Sequence, residues 1–370
     1  MKPIRLGMIG SGDISNRFFE QAGKLEQVQF VATCARRLEN AQKKGAVYGV
    51  PRAYDDYRAM LDQEDLDAVV VTTPHSVHTE PVLAALERGL HVLNEKPMAT
   101  SFEECKAMVE LADERGLIFM SLPYDLNPAF LAAADFVNER YIGKITGAEA
   151  NLSLPGPPRD NWYYDKSVAH GGAVLDCLVY PVSRLVGLLG PAVSVMAEVN
   201  TLIPKRIVGG GKLVDSDVDD NVTLIVQFEG GQQAVIRTLW GTSFVLNNTL
   251  VFGRNGTVAL NDSGLPLVVH APNVPVPDAE PVTWRGLQDC YVPRSAIASH
   301  PEVSIMGHFI QCLRDGVVPV QSGRQQLHVH EIMFGTYRSA ETGARYSLTT
   351  SFTPWNKLDP TIFDTRSEFI

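Results

Sequence analysis

The chain has 370 residues, 45% hydrophobic and 20% charged, an ordinary globular composition with more length than one core usually serves, so two folded domains are expected and long disordered tracts are not. A formal net charge of -10 argues against nucleic acid and anionic membrane surfaces as partners, and any bound anion must be met by a local set of donors. Five cysteines, Cys34, Cys105, Cys177, Cys290 and Cys312, show no CxxC spacing and are odd in number, which suits reduced thiols in a cytoplasmic protein. The first residues run straight into a strand, leaving no room for a cleaved signal, and no apolar run approaches the ~20 residues of a membrane span.

Residues 4–9 are a short apolar run ended by Gly10-Ser11-Gly12, and a helical pattern follows over 14–25, which reads as strand, tight turn, helix. Further strands are expected over 30–34, 68–72, 91–94 and 118–121, with helices over 38–47, 81–88 and 102–115, the last two stopped by Gly89 and Gly116. The unbroken Ala68-Val69-Val70-Val71 run is what a parallel strand buried on both faces requires. Such alternation specifies an α/β fold with a doubly wound parallel sheet, assigned to residues 1–122, because right-handed crossovers place helices on both faces.

Beyond residue 122 the grammar changes. Helices are expected over 128–140 and 171–189, and strands over 148–154, 193–199, 222–228, 234–240 and 250–252, with Gly230-Gly231 as a hairpin turn. Residues 123–350 are therefore expected to form a C-terminal α+β domain around an open, mostly antiparallel sheet, with helices returning over 304–313 and 325–344 and a tail over 351–370. One face of that sheet needs covering, and a second copy of the chain in a dimer or tetramer is an ordinary solution.

Gly10-Ser11-Gly12-Asp13-Ile14-Ser15 resembles the GxGxxG fingerprint of Rossmann domains: the first two glycines allow a tight turn and close approach of a pyrophosphate to the backbone, and Ser15 replaces the third. After the second strand, where a carboxylate would bond the ribose hydroxyl of NAD, stand Ala35, Arg36 and Arg37. Guanidinium groups there favour a 2′-phosphate, hence NADP, with NAD possible. Lys96 emerges from the strand 91–94 at the carboxyl edge, where doubly wound sheets bind ligands, although a lone lysine at a sheet edge is also ordinary surface chemistry. Gly171-Gly172 opens a helix that puts Asp176 and Tyr180 four residues apart on one face; with Lys96 lowering the phenol's pKa, Tyr180 would serve a proton relay, and the alternative is a buried tyrosine hydrogen-bonded to an ordinary aspartate. Trp162, in Asn161-Trp162-Tyr163-Tyr164-Asp165, is either part of an aromatic platform for a sugar or part of a packed surface loop. His328-Val329-His330 diverges on a helix, so no metal site is expected.

Taken in order, Gly10-Ser11-Gly12, Thr73-Pro74-His75-Ser76-Val77-His78, Glu95-Lys96-Pro97 and the segment from Gly171-Gly172 to Tyr180 resemble the glucose-fructose oxidoreductase / inositol dehydrogenase / MocA family over most of the chain. By this resemblance Lys96 and Asp176 take the catalytic lysine and aspartate positions. Tyr180 takes the place of the histidine of inositol dehydrogenases, as in the glucose-fructose oxidoreductase and dihydrodiol or xylose dehydrogenase branch. Gly10, Gly12, Asp13, Ile14, Arg36, Arg37, Thr73, Pro74, His75, His78, Glu95 and Lys96 are expected at the nucleotide, and Tyr124, Asp125, Trp162, His170 and Asp176 at the substrate. Departures from the family pattern, His75 for Asn, His170 and Leu178 for Gly, Ser183 for Asp and Asp125 for Arg, bear on substrate identity. The expected function is NADP-dependent hydride transfer at a hydroxyl- or carbonyl-bearing carbon of a sugar, sugar derivative or cyclic polyol. A sugar-sugar oxidoreductase with tightly held NADP and a non-catalytic nucleotide-sensing regulator are the alternatives.

Overall fold

The computed structural model describes residues 2–123, 126–139, 141–158, 162–262, 264–272, 276 and 278–355. Two compact units are built, one from Met1–Tyr124 with Val303–His330, the other from Asp125–Glu302 with Glu331–Ile370.

In the first unit, β1 (Ile4–Ile9), α1 (Ser15–Ala22), β2 (Val28–Cys34), α2 (Leu38–Tyr48), β3 (Arg52–Tyr54), α3 (Tyr57–Gln63), β4 (Ala68–Val71), α4 (Thr79–Glu87), β5 (His91–Asn94), α5 (Phe102–Arg115) and β6 (Phe119–Ser121) alternate along the chain. The strands form one six-stranded sheet in the order β3-β2-β1-β4-β5-β6 with every pairing parallel. This is the doubly wound sheet expected from the sequence, with one more strand. Three-residue β3 carries no apolar period and sits at the sheet edge, where one neighbour supplies its pairing. Local signals end the helices: Ser101 and Glu104 form a capping box at the start of α5, and Gly116 closes it at φ 63°. Ala68, Val69, Val70 and Val71 are fully buried. Because all strands run one way, the residues that follow β1, β2, β4 and β5 gather at one edge of the sheet.

The second unit contains α6 (Pro128–Asn138), β7 (Ile145–Leu154), α7 (Lys166–Ala169), a π-helical turn at Val174–Leu178, α8 (Val179–Leu189), β8 (Ala192–Asn200), β9 (Lys205–Val208), β10 (Lys212–Asp215), β11 (Asn221–Phe228), β12 (Gln233–Trp240), β13 (Leu246–Gly253), β14 (Gly256–Asp262), β15 (Leu265–His270), β16 (Glu280–Trp284), β17 (Leu287–Val292) and α9 (Arg294–Ala298). Ten strands make one sheet in the order β16-β17-β15-β14-β13-β7-β12-β11-β8-β18, where β18 is Tyr346–Ser347 and only the β7–β12 pairing is parallel. The open, mostly antiparallel sheet thus stands as expected, wider than the five strands read from periodicity. The strands from β14 to β17 lie in sequence interrupted by Gly, Pro and Asn, and tertiary pairing rather than pattern makes them strands.

Alternation divides the residues of β11 and β12 cleanly. Val222, Leu224, Val226, Phe228, Ala234, Ile236 and Trp240 are buried on one face, and α6 and α8 pack on the sheet. On the other face Met196, Ile225 and Val235 form a cross-strand row with 46%, 42% and 45% of their surface exposed. Farther along the same face, Leu250, Ala259 and Val268 pack with Trp284 and Cys290. The run Lys166–Leu189 is long and apolar enough by composition to cross a membrane, but Asp176 and Arg184 interrupt it and 78% of its apolar window is buried inside the structure, as in a core helix.

The segment Val303–His330 departs from the expected division at residues 122 and 350, since it joins the first unit. α10 (Ile305–Asp315) is amphipathic, with Met306, Phe309, Ile310 and Cys312 buried, and it packs on α1; the Met306 amide donates to Gln21 Oε1. Linear pattern marks such a helix as one that needs a surface but does not say which. α11 (Gly323–Thr342) contributes to both units.

Candidate functional site

Gly10 follows β1 at φ 108°, its amide donating to the Cys34 carbonyl and the Thr72 hydroxyl donating to its own carbonyl at 2.9 Å. A Cβ at Gly10 would stand 2.6 Å from the Thr72 carbonyl carbon, so the close approach that this glycine permits is to the backbone after β4. Gly12 differs: nothing lies within 4 Å of where its Cβ would be. α1 then starts without a side-chain cap, and Ser15 is buried with its hydroxyl donating to the Gly12 carbonyl at 2.6 Å. Ser15 thereby does the packing work of the third fingerprint glycine. An open glycine at an uncapped helix start is the cradle that a pyrophosphate needs. Asp13 and Ile14 are exposed beside it, and Arg36 and Arg37 are exposed just past the end of β2. These residues fit a dinucleotide.

Thr73 and Pro74 follow β4, and His75, in a 3-10 turn, is buried. His78 is fully buried, with Nδ1 2.9 Å from the Pro97 carbonyl and Nε2 2.9 Å from the Thr73 carbonyl. Burial holds its pKa below the ordinary value, and both ring nitrogens are engaged by backbone. His78 therefore ties the Thr73 turn to the turn after β5.

That second turn carries Lys96. The Glu95 carboxylate accepts the Lys96 amide at 2.9 Å, and Glu95 itself is buried. Asn94 Nδ2 donates to the Met98 carbonyl at 3.0 Å, and the Met98 amide donates to His330 Nε2 at 2.8 Å. His330 Nδ1 lies 2.7 Å from the Gln326 carbonyl, so this ring is the neutral tautomer with its proton on Nδ1. Burial pushes its pKa down to about 4, which keeps it an acceptor for Met98 at neutral pH. Asn94 and His330 were not recognised from sequence. His330 was noticed only as half of an HxH pair, and its partner lies 232 residues away.

In the second unit Asp176 lies in the π-helical turn and Tyr180 in the first turn of α8. The expected helix is present, but it opens with wider turns, a feature common at functional sites. Asp176 is half-buried and Tyr180 is 39% exposed. Asp176 and burial both raise the pKa of Tyr164, burial more strongly, while the Arg206 guanidinium opposes them. Gly171 and Gly172 do permit a close approach, yet what approaches is protein: a Cβ at Gly171 would collide with the Tyr337 hydroxyl, and one at Gly172 with the Asp219 carbonyl. His170, exposed at φ 61°, ends α7 in the left-handed conformation that glycine takes more easily. Trp162 stacks on Tyr163 with centroids 4.1 Å apart. Tyr124 and Asp125 lie outside the described residues.

Residues 4–122 match the family model described as the GFO/IDH/MocA oxidoreductase family, NAD-binding Rossmann fold, and residues 130–259 match that family's C-terminal domain. The dTDP-3,4-didehydro-2,6-dideoxy-alpha-D-glucose 3-reductase of Actinomadura kijaniata is 35% identical over 188 residues, 50% of this chain and only 56% of that protein. D-xylose 1-dehydrogenase (NADP(+)) 2 of Haloferax volcanii is 26% identical over 351 residues, 93% of this chain and 100% of that protein. A solved levoglucosan dehydrogenase, in complex with NADH and L-sorbose, superposes with a TM-score of 0.81 at 21% identity, covering 95% of this chain and 100% of that one, which shows a shared fold.

The two glycines of the loop separate packing from binding. Gly10→Ala should lower thermal stability by several degrees and weaken nucleotide binding together, because its methyl meets the Thr72 backbone; Gly12→Ala should leave the melting temperature within about 2 °C while weakening NAD(P) binding at least tenfold. Calorimetry and titration of both variants check this, and a Gly12→Ala protein with normal affinity would remove the pyrophosphate from that place.

The glycine loop, the Lys96 turn and the Asp176–Tyr180 helix thus occur in a chain whose two units both match one family, and the chain belongs to the GFO/IDH/MocA family of NAD(P)-dependent oxidoreductases.

Proposed function

We propose that the protein is an NADP-preferring dehydrogenase or reductase acting at a hydroxyl- or carbonyl-bearing carbon of a sugar, sugar derivative or cyclic polyol. The observation that carries this reading is the buried scaffold of Asn94, His78 and His330 around the turn that presents Lys96 at the carboxyl edge of the nucleotide-binding sheet. A regulator that only sensed nucleotide would need neither that lysine nor the Asp176–Tyr180 pair. The D-xylose dehydrogenase and dTDP-sugar reductase named above, both enzymes of sugar chemistry, support the substrate class.

The dinucleotide, when bound, supplies the hydride exchange. The chain's part is to bind, orient and move one proton. The Lys96 ammonium donates to the reacting oxygen and stabilises negative charge on it. Tyr180 Oη gives or takes the proton, for which a solvent-accessible phenol is suited, and the Asp176 carboxylate orients a substrate hydroxyl. Trp162 and His170 belong to the substrate side, and Tyr124 and Asp125 are assigned there by sequence alone. All five cysteines are buried and none is in a disulfide, which supports a reducing, cytoplasmic setting.

Tyr180→Phe keeps the ring and removes the proton, so kcat should fall by roughly 10²-fold with NADP affinity nearly intact, and Lys96→Ala should do at least as much damage. The assay is reduction or oxidation of a panel of monosaccharides, inositols and keto-sugars followed at the nicotinamide absorbance; near-normal turnover of Tyr180→Phe would pass the proton role to Lys96 or His170.

NADP should bind at least tenfold more tightly than NAD, about 1.4 kcal/mol, through the exposed Arg36 and Arg37. Replacing both by Ala should erase most of that difference in a fluorescence titration, and equal affinities in the unaltered protein would refute it.

The uncovered Met196-Ile225-Val235 row supports a homodimer or homotetramer built across the open sheet. Light scattering of the unaltered protein at micromolar concentration should give a multiple of the monomer mass, and Ile225→Glu should shift it toward monomer; a monomer in the unaltered protein excludes the assembly.

A further inference from the structure

Asp219 stands just before β11, and every oxygen that it offers is used. Oδ1 accepts the Gly172 amide at 2.8 Å and Oδ2 the Val174 amide at 2.7 Å, while its backbone carbonyl accepts the Ala173 amide at 2.8 Å. Oδ1 also accepts the hydroxyl of Tyr337, from α11, at 2.6 Å. Three consecutive amides at the start of the helix that carries Asp176 and Tyr180 are thus satisfied by one residue 45 positions farther along the chain. No side chain local to that helix start caps it. Burial, and next the Asp219 charge, hold the Tyr337 pKa well above its ordinary value, so Tyr337 remains a donor across the working pH range.

Gly171 and Gly172 are the other half of the device. A side chain at either would occupy the space taken by the Tyr337 hydroxyl or the Asp219 carbonyl. The next residue, Asp220, bonds elsewhere: its carboxylate accepts from the Leu202 and Ile203 amides and from Arg206. Asp219 therefore brings a negative charge to the helix start, where Asp176 already lies in the first turn, and negative charge is favourable at a helix N-terminus.

We infer that Asp219 and Tyr337 are positioning residues for Asp176 and Tyr180, a remote cap that fixes the axial and rotational setting of the helix on which both lie. The inference rests on the proposed roles of Asp176 and Tyr180. Misplacement of a reacting group by about 1 Å costs on the order of 10²-fold in rate, so loosening the cap acts on turnover before it acts on folding. Asp219 and Tyr337 belong to the second unit and the dinucleotide-binding loop to the first.

Tyr337→Phe and Asp219→Asn, both close in volume to the native residues, test this in the full-length protein. Expected for Tyr337→Phe is a fall in kcat of about 10-fold, and for Asp219→Asn about 100-fold, each with NADP dissociation constant and substrate KM within twofold of the unaltered protein. Hydrogen exchange followed by mass spectrometry should show faster exchange in the peptide containing Gly172, Ala173 and Val174, with β11 and β12 unchanged. Unaltered kcat in both variants overturns the inference, as does a loss of activity accompanied by faster exchange throughout the second unit, which would make the pair merely structural. If the unaltered protein turns over no sugar or polyol, it is the substrate reading that fails; the exchange of the 172–174 amides then still decides whether Asp219 caps the helix.

Discussion

One constraint runs through both units: a buried peptide N–H or carbonyl must find a partner, and at several places here that partner is a side chain remote in sequence. The Asp219 carboxylate meets the helix start at Gly172 and Val174, and Asn94, His78 and His330 meet the turn at Pro97 and Met98. In each case the residue proposed to act, Asp176 and Tyr180 or Lys96, sits on backbone whose polar groups are held by side chains given no part in the proposed chemistry. Rigid backbone under a reactive group is what lets a proton be delivered to one place.

Histidines illustrate how burial selects a role. His330 is pushed toward neutrality by its surroundings, so it can accept the Met98 amide; a charged ring could not. His78 meets two carbonyls while burial favours its neutral form, and a neutral ring donates to only one of them at a time. Neither ring resembles an exposed acid or base, although both flank the lysine turn. Proximity to a reactive residue and participation in chemistry are different properties, and hydrogen-bond partners distinguish them.

Glycines make the same point. Gly10 and Gly12 both belong to the nucleotide fingerprint, yet only Gly12 leaves space open, since Gly10 is consumed by its contact with Thr72. Gly171 and Gly172 permit a close approach to the backbone, and in the fold they admit Tyr337 and Asp219. A glycine pair in a sequence says that something comes close; it does not say whether that is ligand or protein.

Much of this was legible in the amino-acid order because it rests on local rules. The βα alternation, the buried Val69-Val70-Val71 strand, the glycine turn and the one-turn spacing of Asp176 and Tyr180 all follow from side-chain periods and turn chemistry within a few residues. What lacked a local signal was invisible: β3 and the strands from β14 to β17, whose pairing is decided by neighbours, and the surface that receives α10, a helix expected from its pattern whose apolar stripe finds α1 from 285 residues away. The remote cap at Asp219 and the His330 support of the Lys96 turn belong to the same class. Sequence determines which residues can donate, accept or carry charge; only the folded chain, by excluding water from particular atoms, decides which of them must pair with each other and which remain for chemistry.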